Sequence, residues 1–250
     1  MHGFAYDSIH DEIVVTSPLT QSILIFKGGA NGDEPPARVI QGPHTQILGT
    51  AYCGNDKVSV DPVNNEILLP VAAGQNGCGN GDPNNVGVLV FDRNANGDVA
   101  PQRVLKGADT RITSLSPIGV DPVRNLLFVN IQGAMLVFDR TATGNTKPKA
   151  VITGPKSQMG RIDTFQVNAQ KGLLIGTCTG GAICAWNVTD DGDVPPKWKI
   201  PVQQLTGYVA SGIALDSQHK EMILSAAGQR VRPPSGIMNT VITFSWPAIF

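Results

Sequence analysis

A short apolar stretch followed by an acidic or amide residue recurs along this chain, and it constrains the fold more than any other feature. The anchors are Asp7, Asp61, Asp121, Asn168 and Asp216, preceded by Phe4-Ala-Tyr, Val58-Ser-Val, Ile118-Gly-Val, Phe165-Gln-Val and Ile213-Ala-Leu. A polar quartet follows each anchor, then an aliphatic run (Ile13-Val-Val, Ile67-Leu-Leu, Leu126-Leu-Phe-Val, Leu173-Leu-Ile, Met222-Ile-Leu). A third run ends on an aromatic residue: Phe26, Phe91, Phe138, Trp186 and Phe244. In four units a Gly-Asp or Gly-Asn turn and a proline come next (Gly32-Asp33, Gly97-Asp98, Gly144-Asn145, Gly192-Asp193). Those units close on Arg38-Val-Ile, Arg103-Val-Leu, Ala150-Val-Ile and Trp198-Lys-Ile.

Short apolar runs separated by turn residues read as antiparallel meanders. A meander repeated about every fifty residues reads as a propeller, because one such sheet cannot bury its faces alone. The expected fold is therefore all-β, a β-propeller of five blades in one domain over residues 1–250, with part of a six- or seven-bladed ring as the alternative. No stretch has a sustained helical period, and proline and glycine interrupt the chain too often for long helices. The fifth unit ends after its third run, at Phe244-Ser-Trp-Pro-Ala-Ile-Phe250, with no fourth strand visible.

A formal net charge of −1 over 250 residues gives no electrostatic reason to expect a nucleic-acid or anionic membrane partner. No apolar run approaches the length of a membrane span, and no signal peptide is recognisable. Four cysteines are present. If Gly180-Gly181 forms a two-residue hairpin, Cys184 lies opposite Thr177 and Cys178 points to the other face, which argues against their pairing. Cys53 and Cys78 lie in long loops flanking one blade and are able to meet. Reduced cysteines are the default expectation, reversed for an exported protein.

The candidate site lies in the connections from each outer strand to the next inner strand. Gly-Pro-His44-Thr-Gln, Gly-Ala-Asp109-Thr-Arg111 and Gly-Pro-Lys156-Ser-Gln share one form, with the Thr or Ser as turn structure. Arg161, Asp163 and Tyr208 stand close by in sequence terms, and the last large insertion adds Arg230 and Arg232. In a propeller such loops gather on one face beside a central depression. Asp109, Arg111, Arg161, Arg230 and Arg232 there suit a small anionic or polyol ligand, or a protein partner. As an alternative, His44 or Asp163 acts as base and Tyr208 or Lys156 as acid in a hydrolase or lyase acting on a small oxygenated substrate.

The anchor aspartates read as turn-fixing acceptors rather than as chemistry. Asp92-Arg-Asn94-Ala-Asn96-Gly97-Asp98 imitates the start of a calcium loop but has Arg103 where the bidentate glutamate belongs, so an Asx-type turn is the expected role. No metal is assigned, and the sequence does not identify a cofactor.

The stretches Ile25-Phe-Lys-Gly-Gly-Ala-Asn-Gly-Asp-Glu-Pro-Pro-Ala-Arg-Val-Ile-Gln-Gly-Pro43 and Val90-Phe-Asp-Arg-Asn-Ala-Asn-Gly-Asp-Val-Ala-Pro-Gln-Arg-Val-Leu-Lys-Gly107 resemble NHL-type and related bacterial β-propeller repeats. The resemblance implies the propeller architecture. The activities it implies range from non-enzymatic binding platforms to lactonase-like, strictosidine-synthase-like and lyase members. Lactonase-like members place a Glu, two Asn and an Asp around a central ion, and here no Glu stands at the mouth end of an inner strand. Lyase members use histidines at zinc, against four scattered histidines here.

Overall fold

A computed structural model describes residues 3–47, 58–72, 84, 86–114, 117–160, 162, 164–228 and 239–250. Cys53, Cys78, Arg161, Asp163, Arg230 and Arg232 lie outside the described residues. Each sequence repeat forms one antiparallel sheet. The first sheet is β1 (Phe4–Asp7), β2 (Glu12–Ser17), β3 (Ser22–Lys27) and β4 (Arg38–Gln41). The second is β5 (Ser59–Asp61), β6 (Glu66–Ala72), β7 (Val86–Asp92) and β8 (Arg103–Lys106). The third holds β9 (Ile118–Asp121), β10 (Leu126–Ile131), β11 (Ala134–Asp139) and β12 (Ala150–Thr153). The fourth holds β13 (Phe165–Asn168), β14 (Leu173–Cys178), β15 (Ala182–Asn187) and β16 (Trp198–Ile200). The fifth stops at three strands, β17 (Tyr208–Asp216), β18 (Glu221–Gly228) and β19 (Asn239–Ser245). In every sheet neighbouring strands follow one another in sequence. The fold is a five-bladed β-propeller.

The chain divides into two compact units, residues 1–131 with 136–149, and residues 132–135 with 150–250. In the first, Val14, Ile23, Ile25 and Ile40 of the first blade form one core with Val58, Ile67, Leu69, Leu89 and Phe91 of the second. In the second, Leu173, Ile175, Ile183 and Ala185 pack with Ala210, Ile213, Met222 and Leu224. A middle strand packed on both faces has no polar side, which is why β6 is buried along its whole length and reads, after Glu66, as an unbroken apolar run.

The anchors fix the turn between first and second strands. Asp7 Oδ1 accepts from the amides of Ile9 and His10, Asp61 Oδ1 from Val63 and Asn64, and Asp121 Oδ1 from Val123 and Arg124. Asp216 does the same in the fifth blade, and in the fourth Asn168 Oδ1 accepts from the Lys171 amide. The anchors of the first three blades are buried, so each doubly bonded carboxylate answers the cost of its own burial.

Three local expectations are corrected. A five-residue helix, α1 (Val202–Thr206), replaces the loop connection before Tyr208, and Gly207 in the left-handed conformation (φ 76°) terminates it. Tyr208 then opens β17 rather than lying in a loop, and a bulge between Ala210 and Gly212 joins this added segment to the inner strand. Cys178 and Cys184 form a disulfide, with Cα atoms 5.9 Å apart. The hairpin pairs Cys178 with Ala182, so the connection is Thr179-Gly180-Gly181 and Cys184 lies opposite Gly176 instead of Thr177. One residue of register reverses the face of a side chain, and the two cysteines become diagonal neighbours on one face. Closing a loop of sequence separation 6 predicts that Cys178→Ala/Cys184→Ala lowers unfolding stability by about 2 kcal/mol. Urea unfolding with and without reductant checks this, since reductant should remove the difference between the two proteins.

Among the described residues no helix is long and apolar enough to cross a membrane.

Candidate functional site

The residues singled out in the outer-to-inner connections are set in place by the blade that follows. In the first unit, the turn after β7 runs alongside β4: Gly97 N–H donates to Val39 O (2.6 Å), and Gln41 N–H donates to Gly97 O (3.1 Å). The same pair of bonds joins Gly144 to Val104 and Lys106, at 2.7 and 3.0 Å. In the second unit it joins Gly192 to Val151 and Thr153, at 2.8 and 3.1 Å. Each of these outer edges, otherwise a row of open backbone groups, is thereby covered. Asn96 and Asp191 add a side-chain acceptor for the amides of Val39 and Val151.

The residue after each glycine completes the clasp. Asp98 Oδ1 accepts from the His44 amide (2.8 Å) and Asn145 Oδ1 from the Asp109 amide (2.7 Å). Asp193 Oδ1 accepts from the amides of Lys156 (2.7 Å) and Ser157 (3.0 Å). These bonds cap the turns Pro43–Thr45, Ala108–Thr110 and the one at Lys156-Ser157. The buried Thr45, Thr110 and Ser157 hydroxyls donate to the carbonyls of Gly42, Gly107 and Gly154. The following residues, Gln46, Arg111 and Gln158, are left-handed in all three (φ 58°, 62° and 56°). One backbone form therefore holds the turns, while the side chains of His44, Asp109, Arg111 and Lys156 stand exposed at the ends of outer strands.

His44 is distinctive. Its Nδ1 lies 2.6 Å from Asp98 Oδ2, and 76% of its side chain is open to solvent. Burial works to raise Asp98, but the hydrogen bonds from the His44 ring and backbone outweigh it and hold the carboxyl below the usual aspartate value. The carboxylate on His44 is therefore Asp98, which sequence reading had placed in a calcium-like loop. Oxygens of that loop serve elsewhere: Asn96 on Val39, Asp98 on His44, and Asp92 Oδ1 on the Asn94 amide. His10 and His219 pair through Nδ1 with the anchors Asp7 and Asp216. In the exposed Asp216–His219 pair, the hydrogen bond raises His219 and lowers Asp216. Among the described residues no group of three or more His, Cys, Asp or Glu is placed to hold a metal ion. Tyr208, in the second unit, takes the place at the head of β17, its amide bonded to Thr206 Oγ1 at 3.1 Å.

A second constellation lies at the opposite end of the outer strands in the first unit. Glu12 accepts from Arg38 (2.7 Å) of its own blade and Arg93 (3.0 Å) of the next. Glu66 repeats this with Arg103 (2.8 Å) and Arg140 (2.6 Å). For both glutamates burial raises the pKa, but the arginine hydrogen bonds and charges outweigh it and hold the carboxyl below the ordinary value. The equivalent positions of the third blade and its successor are Leu126, Ala150 and Val188. In the second unit they are Leu173, Trp198 and Trp246, whose indoles meet edge to face at 6.3 Å. The repeat therefore uses charged and apolar triads at one place, the mark of a structural joint. Its signal was present in the aligned repeats, as the joint change of Glu12 and Arg38 to Leu126 and Ala150.

No protein-family model matches the chain. A search of the curated proteins returns no match. What is established of its kinship is its architecture, a five-bladed β-propeller built from five antiparallel sheets.

Proposed function

We propose that this protein is a non-enzymatic recognition platform of NHL-like type, which binds an anionic or polyol ligand, or a partner bearing such groups. The observation that carries the reading is the pinned turn: one backbone form, held by the next blade's Asp or Asn, presenting a different exposed side chain each time. A fixed scaffold with variable polar tips suits binding, because little backbone order remains to be imposed when a ligand arrives. The contacts are His44, Asp109 and Arg111 in the first unit, and Lys156 and Tyr208 in the second. Arg161, Asp163, Arg230 and Arg232 join them as proposed contacts by sequence position.

A thermal-shift and calorimetric screen of carboxylates, phosphates and sugars tests this. Arg111→Ala should weaken about tenfold the binding of a hit at the first unit, and Lys156→Ala that of a hit at the second, while leaving the melting temperature of the free protein unchanged. Equal affinity in both variants would remove these residues from the site. One observation favours a second reading, a hydrolase or lyase: the Asp98 carboxylate orients the His44 ring and leaves Nε2 outward as a proton acceptor. Turnover of a screened substrate that His44→Ala abolishes would select that reading.

A further inference from the structure

We propose that the Cys178–Cys184 disulfide is a redox-sensitive strut, which a thiol reductant opens in the folded protein to loosen α1 and the chain leading to Tyr208. The bridge lies at one end of the β14–β15 ladder, six residue pairs long from Leu173 and Asn187 to Cys178 and Ala182. Beyond the last pair only Thr179-Gly180-Gly181 remains, with both glycines at positive φ (75° and 63°). Main-chain bonds already join the two strands, and each has a further neighbour in the sheet, β13 and β16. The sheet therefore does not depend on the bridge, whereas the hairpin tip does.

Two other segments of the second unit lean on that tip. Gln203 N–H, in the first turn of α1, donates to Gly181 O (3.0 Å), and its side chain lies so close that a Cβ on Gly181 would collide with it. Thr179 N–H donates to Gln158 O (3.2 Å), just after the Lys156-Ser157 turn. The turn itself has other supports: Asp193 holds the amides of Lys156 and Ser157, and Trp186 Nε1 donates to Ser157 O (3.0 Å). Opening the bridge thus acts on Gln158 and α1 and leaves Lys156 in place. Cys184 is fully buried, whereas Cys178, next to the tip, keeps 6% exposure and is the sulfur that a reductant meets first. A thiolate attacks Cys178 Sγ, the S–S bond breaks, and Cys184 leaves as a thiolate that takes up a proton. A second thiol then displaces Cys178 from the mixed disulfide. The bridge gains two electrons and becomes two thiols, and the two reductant thiols end as one disulfide. Any change in ligand affinity through Tyr208 rests on the binding role proposed above, but the opening of the strut does not.

The experiment incubates the full 250-residue chain with reduced glutathione and no denaturant. Acid quenching, then alkylation of the unfolded chain and peptide mass mapping, should find Cys178 and Cys184 as thiols. In the reduced protein the amides of Thr179 and Gln203 should exchange about tenfold faster, while those of Lys156 and Ser157 keep their rates. Cys178→Ala/Cys184→Ala, which retains Cys53 and Cys78, should show the fast exchange without glutathione and no response to it. A bridge that resists glutathione until urea is added would overturn the proposal. So would reduction that leaves Thr179 and Gln203 unchanged, or that speeds all four amides alike. If the four amides respond as expected and a hit at the second unit binds equally well before and after reduction, the strut stands and the binding role of Tyr208 fails.

Discussion

Glu66→Ala is expected to destabilise the protein by about 3 kcal/mol, because it leaves the Arg103 guanidinium without its counter-charge and Arg140 with only Asp61, 3.9 Å away. Glu66 is nearly closed off from solvent, with 7% of its side chain exposed, and Arg103 and Arg140 are exposed by only 18% and 12%. The attraction within this triad is largely spent on its own desolvation, and Arg103 keeps Nε and Nη2 buried without a hydrogen-bond partner among the described residues. The triple variant Glu66→Leu/Arg103→Ala/Arg140→Val installs the set that the third blade and its successor carry, Leu126, Ala150 and Val188. It should be no less stable than the parent, since an apolar set has no charge to desolvate. Urea unfolding of the three proteins decides: a triple variant as weak as Glu66→Ala would mean that the charges themselves hold the joint.

The same triads set the acid response. Glu12 and Glu66 have folded pKa values below the ordinary one. Their contribution is therefore fully present above the ordinary glutamate pKa, about 4.3, and is lost as pH falls through the depressed folded value. The triple variant should lose the Glu66 share of this dependence and show a shallower fall in stability on the acid side.

The second large effect is expected at Gly107. Its backbone, at φ 132° and ψ 169°, lies in a region that side chains other than glycine do not tolerate. A Cβ there would also stand 2.5 Å from Asn145 Oδ1, the atom that caps the Asp109 amide. Gly107→Ala should therefore cost about 3 kcal/mol, combining backbone strain with loss of a cap. Gly97 separates the two contributions: its φ is +78°, but nothing lies within 4 Å of an added Cβ. Gly97→Ala should cost only about 1–2 kcal/mol from its left-handed backbone. In an Asn145→Ala background the further cost of Gly107→Ala should shrink, because the colliding amide is gone. An unchanged cost would assign the whole effect to the backbone.

The blade pattern was legible because its determinants are local: an anchor accepts amides two and three residues ahead, and the aromatic closes the third strand of the same repeat. The three strands described for the fifth blade were legible for the same reason. What escaped was set by distant partners or by one residue of register. His44 meets Asp98 across 54 residues, so the Gly-Asp turn read only as the link between the third and fourth runs of its own blade, when it is also the clasp of the preceding one. Cys178 and Cys184 were misplaced by taking Gly180-Gly181 as the whole turn, when both glycines with Thr179 make a three-residue connection. Thr45, Thr110 and Ser157 were read correctly as turn residues, because their hydroxyls bond a carbonyl three positions back. The sequence around the exposed tips beside them specifies the turn and not the ligand.

The account depends on each outer strand being held by the turn of the blade after it, and amide hydrogen exchange measures this directly. The amides of Gln41, Lys106 and Thr153 donate to Gly97, Gly144 and Gly192, although each sits on the outer side of its sheet. They should exchange as slowly as amides inside the sheet ladders, and Gly97, Gly144 and Gly192 should be protected with them. Exchange of all six at the rate of open edge amides would contradict the clasp, and with it the fixed presentation of His44, Asp109 and Lys156.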